Sequence, residues 1–192
     1  MPFESTHELL DSILRGMELT EAELDEVITE LADEDQFLDY KHGALLDNPA
    51  KAAPKVVRQY LSAFANADGG ILVIGVSEPD GEGNRTVTGC KKPGQTELTE
   101  WASDAMSDMA SYFSPSPRFQ LVEHAEGNVL VCAVARAPGL VPCVEAGRMK
   151  YFLRIHDSTV KCPDYLISDL VLGRREHPTL HVDVTSVPHG EQ

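Results

Sequence analysis

The sequence predicts an α+β fold with a mixed, largely antiparallel sheet and helices packed mainly on one side of it. Helical spacing of apolar residues dominates the first part of the chain and segment 53–67. Strand-like apolar runs separated by turn residues dominate from residue 119 onward. Residues 65–78 lie between the helical part and the strand-rich part, and they are predicted to form the end of a helix, a glycine turn and a buried strand. Helices and antiparallel strands segregated in this way are typical of α+β domains.

Two helices are predicted before residue 34. Thr6 can cap the first, which ends at Gly16, and Thr20 with Glu23 forms a capping box for the second. Each helix has one apolar face, formed by Leu9, Leu10, Ile13 and Leu14 in the first and by Leu24, Val27, Ile28 and Leu31 in the second.

A strand is predicted over residues 36–41, with Asp39 and Lys41 on one face and Leu38 and Tyr40 on the other. A longer helix over 53–67 leads into the turn at Gly69 and Gly70, where glycine permits a reversal without a Cβ clash. The apolar run 71–76 that follows suits a strand covered on both faces.

The remaining elements follow in order. The pattern predicts a brief strand over 86–89, a helix starting at Thr96 or Thr99, a hairpin of 119–123 with 128–135, a second hairpin of 144–147 with 150–155, a helix starting at Pro163 and a strand-like patch over 180–184. We divide the chain into an acidic helical segment (1–33), a main domain (34–175) and a C-terminal tail (176–192).

Composition narrows the class of protein. The chain has 192 residues, 42% of them hydrophobic, and no apolar run near the ~18 residues of a membrane helix. The first 15 residues carry acids and do not resemble a secretory signal. The four cysteines show no C-x-x-C spacing. We therefore expect a cytoplasmic protein with reduced thiols and no membrane partner.

The net charge of −15 argues against indiscriminate nucleic-acid binding. Most of this negative charge lies in the N-terminal segment, because residues 1–39 hold 13 acidic side chains and a single basic one, Arg15. The rest of the chain is nearly balanced, so a basic groove there is compatible with the composition. The acidic segment is either a solvated helix face or a surface for a basic protein partner.

Four short motifs occur in a distinctive order. They are Glu34 to Lys41, Ala63-Phe64-Ala65-Asn66 through Gly70, Gly75-Val76-Ser77-Glu78, and Tyr151-Phe152 through Ser158-Thr159. In this order the chain resembles the Schlafen AlbA-2 domain family over roughly residues 34–172. The resemblance implies nucleic-acid binding, and some family members are divalent-metal-dependent ribonucleases that cut structured RNA such as tRNA.

Carried over to this sequence, the resemblance implies a site for Mg²⁺ or Mn²⁺ at Glu34, Asp39 and Glu78, with Lys41 beside the scissile phosphate. Carboxylate oxygens are the ligands these ions prefer. The chain departs from the family's active members at two positions, because Asp39 stands where they have Glu and Glu78 where they have Asp. Without the family resemblance, the alternative interpretation is that Glu34 and Asp39 are surface acids of an acidic segment and that Glu78 is a turn residue.

Arg154 and Lys161 are further candidate phosphate contacts; solvated charges at a strand edge explain them equally well. No nucleotide cofactor is expected, because Gly81-Glu82-Gly83 lacks the third glycine of a dinucleotide loop and no Gly-Lys-Ser/Thr phosphate loop occurs.

The sequence therefore leaves three hypotheses open. The first is a metal-dependent endoribonuclease, with RNA favoured over DNA. The second is a non-catalytic DNA- or RNA-binding regulatory module, or one lobe of a larger effector protein. The third is a protein-interaction role for the acidic segment. Because two lobes form a clamp in the family, we expect either a homodimer or a piece of a longer chain.

Overall fold

The computed structural model describes residues 3–31, 33–47, 53–91, 96–145 and 147–173. The α-helices in this part of the chain are α1 (Thr6–Leu14), α2 (Glu21–Glu30), α3 (Ala53–Ala65), α4 (Leu98–Met106) and α5 (Asp164–Gly173). The strands are β1 (Leu38–Lys41), β2 (Gly69–Ile74), β3 (Arg118–Val122), β4 (Val129–Ala135), β5 (Cys143–Glu145), β6 (Arg148–Lys150), β7 (Phe152–Ile155) and β8 (Ser158–Lys161). Short 3₁₀ helices occupy Gly43–Asp47 and Ser107–Tyr112.

The central sheet has the strand order β1-β2-β4-β3. β1 runs parallel to β2, while β4 is antiparallel to both β2 and β3. Two separate hairpins, β5–β6 and β7–β8, follow the sheet. The α+β class and the mixed, largely antiparallel sheet are confirmed.

Helices cover both faces of this sheet, which corrects the expectation that they pack mainly on one side. α1 and α2 pack with the β2 residues Ile71 and Val73. α3 and α4 pack with Leu72 and Ile74, whose side chains point the other way. The reason is the composition of β2, whose six residues are all buried and need an apolar cover on each side. The domain boundaries at residues 33 and 175 stay predictions.

Several local expectations are confirmed. The capping box of Thr20 and Glu23 is present at α2, and β3 and β4 form the predicted hairpin. Leu38 and Tyr40 pack into the core of α1 and α2, as the alternation in β1 predicted.

Other local expectations need correction. Ser5 caps α1, because Thr6 instead donates its hydroxyl to Asp35 at 2.6 Å. The brief strand at 86–89 is a single bridge between Val76 and Val87. The predicted hairpin over 144–155 is two hairpins, because β7 pairs forward with β8. The patch at 180–184 lies outside the described residues.

The glycine turn between α3 and β2 allows the helix and the strand to pack closely together. Gly69 has a φ of 90°, a left-handed value that favours glycine. A Cβ on Gly70 would lie 2.1 Å from the ring of Phe64, so only glycine lets β2 approach α3 this closely. The buried Asn66 side chain donates to the carbonyls of Val141 and Phe152 at 2.8 and 3.0 Å. This motif therefore ties α3, the sheet and the late hairpins together.

None of the helices within the described ranges is long and apolar enough to cross a membrane.

The packing at Gly70 predicts a stability difference between two glycine substitutions. Gly70→Ala should lower the free energy of unfolding by about 1–3 kcal/mol or more, because the new methyl group must displace the Phe64 ring. Gly81→Ala is the matched control, since an added Cβ there meets nothing within 4 Å. Urea unfolding of both variants measures the difference, and equal stabilities would contradict the packing described here.

Candidate functional site

Strand β1 lies at one edge of the sheet. The backbone groups of β1 that point away from β2 are hydrogen-bonded to charged side chains. The Phe37 and Lys41 carbonyls accept from Ile71 and Gly75 on the β2 side, so Leu38 and Tyr40 present their backbone outward. The Leu38 amide donates to the Asp35 carboxylate and the Tyr40 amide to the Glu34 carboxylate, at 2.9 and 3.2 Å.

The two outward carbonyls of β1 are also satisfied. Arg154 donates to Leu38 O at 3.0 Å, and the Lys41 ammonium donates to Tyr40 O at 2.9 Å. An exposed sheet edge is a template for pairing with another chain, and charged side chains are a common way to close it. Four side chains thus close this edge: Glu34, Asp35, Lys41 and Arg154.

A buried ion pair between Asp39 and Arg154 lies at the centre of this cluster. Arg154 Nη1 donates to Asp39 Oδ2 at 2.7 Å, and the two side chains are 0% and 2% exposed. The same guanidinium donates twice to the carbonyl of Asp35 and lies 5.1 Å from the Phe64 ring. Arg154 was predicted to contact phosphate. Its burial leaves no exposed group for that contact, so here it is a structural residue that docks β7 onto β1.

Lys41 binds the other oxygen of the Asp39 carboxylate and keeps part of its side chain at the surface. Its ammonium lies 4.8 Å from the centre of the Tyr60 ring, within the range of a cation–π contact. Burial alone lowers the pKa of Lys41, but the hydrogen bond to Asp39 and the charge of that carboxylate reverse the effect, so the pKa is raised. Lys41 is therefore a persistent positive charge at the sheet edge.

Glu34 lies beside this pair, held by Arg85. The Arg85 guanidinium is 3.4 Å from the Glu34 carboxylate, stacks 4.5 Å from the Tyr40 ring and donates to Ser77 O at 3.0 Å. Burial raises the pKa of Glu34, and the negative charge of Asp39 raises it further. Asp39 is therefore close enough to affect the ionisation of Glu34.

Glu78 does not join them in a metal-binding group. It is exposed in the loop after β2. Within the described ranges no three His, Cys, Asp or Glu side chains are grouped so that they could hold a metal ion. Both oxygens of Asp39 already bind cations, Lys41 and Arg154. In this arrangement the residues do not fit the predicted site for Mg²⁺ or Mn²⁺, because a divalent ion would compete with two resident positive charges.

Three residues of the cluster were missed by the sequence analysis. Asp35 lies in the first motif beside Glu34 but was not chosen as a site residue. Tyr60, in the helix predicted over 53–67, and Arg85 were not singled out at all. No spacing rule connects Arg85 to Glu34, 51 positions earlier. Lys161, the other predicted phosphate contact, is exposed on β8.

The chain was compared with known families and structures. A family model described as Schlafen, AlbA_2 matches residues 34–163, which include every strand of the central sheet and both hairpins. No curated protein matches the chain.

Two solved structures are similar in part. The DIP2311 protein from Corynebacterium diphtheriae is 17% identical with a TM-score of 0.48, and the match covers 73% of this chain but only 29% of that one. The N-terminal domain of a putative ATP-dependent DNA helicase RecG-related protein from Nitrosomonas europaea is 22% identical with a TM-score of 0.37, covering 72% and 92% of the two chains. Both TM-scores lie below 0.5, so neither likeness supports a conclusion about function.

Removing the Arg154 guanidinium should destabilise the protein strongly. Arg154→Met leaves the buried Asp39 carboxylate short of a partner, and breaking one side of a buried pair costs about 3–5 kcal/mol. Lys161→Met, an exposed cation lost from the neighbouring strand, should change the free energy of unfolding by less than about 0.5 kcal/mol. Urea unfolding tests both, and a mild effect of Arg154→Met would refute its structural role.

Glu34 and Glu23 should contribute to stability with opposite pH dependence. The pKa of Glu34 is raised above 4.5 by burial, so its contribution is present below that value and is lost as pH rises through the folded pKa. The pKa of Glu23 is lowered by its hydrogen bonds with Thr20, so its contribution is present at higher pH and is lost as pH falls.

The stability difference between wild type and Glu34→Gln should therefore fall as pH rises from roughly 4 to 8, and the difference for Glu23→Gln should rise. Unfolding free energies across this range measure both differences. The same sign of slope for the two variants would contradict the environment described for Glu34.

Proposed function

This chain belongs to the Schlafen AlbA_2 family, and we propose from this membership that it is a nucleic-acid-binding domain. The observation that carries the proposal is the family match over residues 34–163. The whole β1-edge cluster, from Glu34 to Arg154, lies inside the matched segment. We further propose RNA as the favoured ligand over DNA.

The β1 edge supports binding to an anion more than binding to a divalent cation, because both oxygens of Asp39 are already held by cations. Lys41, Arg85 and Arg154 face three carboxylates, those of Glu34, Asp35 and Asp39, so the charges of the edge are balanced. Lys41 is the partly exposed cation of the three, so we propose it as a phosphate contact, with the exposed Lys161 as a second.

A metal-dependent endoribonuclease is the second candidate. One observation favours it: Glu34 and Asp39, two of the three acid positions that the resemblance implies, both lie at the β1 edge, where Glu34 accepts from the Tyr40 amide and Asp39 binds Lys41. A carboxyl group held in a fixed position can act as a general acid or base. The requirement for Mg²⁺ or Mn²⁺ and the ligand role of Glu78 stay predictions, as do a homodimer and a larger two-lobed chain.

A binding experiment tests whether the chain binds nucleic acid. Fluorescence anisotropy with labelled tRNA, rRNA and single-stranded DNA, with and without Mn²⁺, should show binding that weakens as salt rises. Lys41→Met should weaken binding and reduce the slope of log Kd against log salt by about 1, as expected for one lost phosphate contact. If none of these nucleic acids binds, the proposed function is overturned.

A cleavage assay on the same RNAs separates the two candidates. A ribonuclease should produce Mn²⁺-dependent fragments, and Glu78→Ala and Asp39→Asn should each lose about 100-fold or more of the rate. Glu82→Ala, an exposed acid of the same loop, is the matched control and should keep the rate. Binding without fragments identifies a non-catalytic module, and full activity in both site variants excludes this carboxylate site.

A further inference from the structure

A second group of basic side chains, none of them part of the β1-edge cluster, lies where α3 meets the β5–β6 hairpin. Lys55 and Arg58 come from the first turns of α3, and Arg148 and Lys150 from β6. We call these four residues the hairpin patch. The acids in contact with it are Glu145 and Asp108. Four bases against two acids make this a local positive surface on a chain whose net charge is −15.

Strand pairing brings the β6 cations together with Glu145. Arg148 lies directly opposite Glu145, and Lys150 lies opposite Cys143. Residues opposite each other, and residues two apart on one strand, share a face of a hairpin. The side chains of Arg148 and Lys150 therefore lie on the face that carries Glu145. Arg148 has no ion-pair partner among the residues that the structure describes.

Glu145 is shared by two lysines and neutralises at most one of them. Its carboxylate is 3.7 Å from Lys55 and 3.0 Å from Lys150, on different oxygens. The Glu145 side chain is 18% exposed, whereas the lysine side chains are 54% and 39% exposed. The acid is thus set back behind the cations, and their ammonium groups keep access to solvent.

Arg58 is fixed in place by backbone contacts. Its guanidinium donates to the carbonyls of Ala105 and Val144 and lies 3.7 Å from the exposed Asp108. A cation whose orientation is already set loses less conformational entropy when it binds an anion. The hairpin patch therefore combines one fixed and three exposed positive charges.

We propose that the hairpin patch binds the phosphate backbone of a nucleic acid. The inference rests on the proposed function and assigns it a set of residues that does not overlap the β1-edge cluster. Several cations side by side suit the repeated charge of a phosphodiester chain, and contacts of this kind position a nucleic acid without reading its sequence. An incoming phosphate competes with Glu145 for Lys55 and Lys150, so Glu145 limits the affinity.

Two sets of variants with opposite expected effects test the hairpin patch. The triple variant Lys55→Gln, Arg148→Gln, Lys150→Gln should weaken binding of labelled tRNA about 10- to 100-fold at moderate salt and lower the salt slope by about 2–3. Glu145→Gln removes the set-back acid and keeps every cation, so it should tighten binding a few-fold. The control Lys91→Gln, Arg136→Gln removes two exposed cations from elsewhere on the surface and should stay within about twofold of wild type.

The outcomes distinguish this inference from the proposed function. If wild type binds no nucleic acid, the proposed function itself fails. If wild type binds but the triple variant behaves like the control, or Glu145→Gln weakens binding, the hairpin patch is refuted and the proposed function stands. Thermal unfolding checks the fold of each variant. If the triple variant does not fold, the single variant Arg148→Gln provides the test. It should weaken tRNA binding about fivefold and lower the slope of log Kd against log salt by about 1.

Discussion

The buried pair of Asp39 and Arg154 is the interaction on which the rest of the site depends. It joins β1 to a hairpin that follows 115 residues later in the chain, with both side chains removed from water. Placing an arginine and an aspartate in the interior is costly unless each is paired and hydrogen-bonded. Here the guanidinium is further satisfied by the carbonyls of Asp35 and Leu38. The arrangement closes the sheet edge and fixes where β7 lies.

This pair also determines what chemistry the acids of the first motif can perform. An aspartate that binds both Lys41 and Arg154 is already neutralised, and it offers no free oxygen to a divalent ion in this arrangement. Of these two cations only Lys41 reaches the surface, and it is the group that we propose as a phosphate contact. The order of the acids in the sequence does not by itself make a metal site, because their pairing in three dimensions decides which oxygens are free.

The motif from Phe64 to Gly70 illustrates how a family signature can be structural. Gly70 is small because the Phe64 ring occupies the space of its Cβ, and Phe64 in turn lies against the Arg154 guanidinium. Asn66 binds the backbone before β5 and at β7. The helix, the sheet and the hairpins therefore meet at one motif. Residues that recognise a ligand can then differ, while the framework that presents them stays the same.

Sequence alone determined the helices α1 to α3, the alternation of β1 and the hairpin of β3 and β4, because these follow from local periodicity and turn chemistry. It also singled out Glu34, Asp39 and Lys41 as neighbours. Only the tertiary structure decided that α1 and α2 cover the second face of the sheet, that Arg154 is buried against Asp39, and that Glu78 stays apart. Those outcomes depend on contacts between residues far apart in the chain, for which no local spacing exists. Which cation meets which carboxylate is set by packing and desolvation in three dimensions.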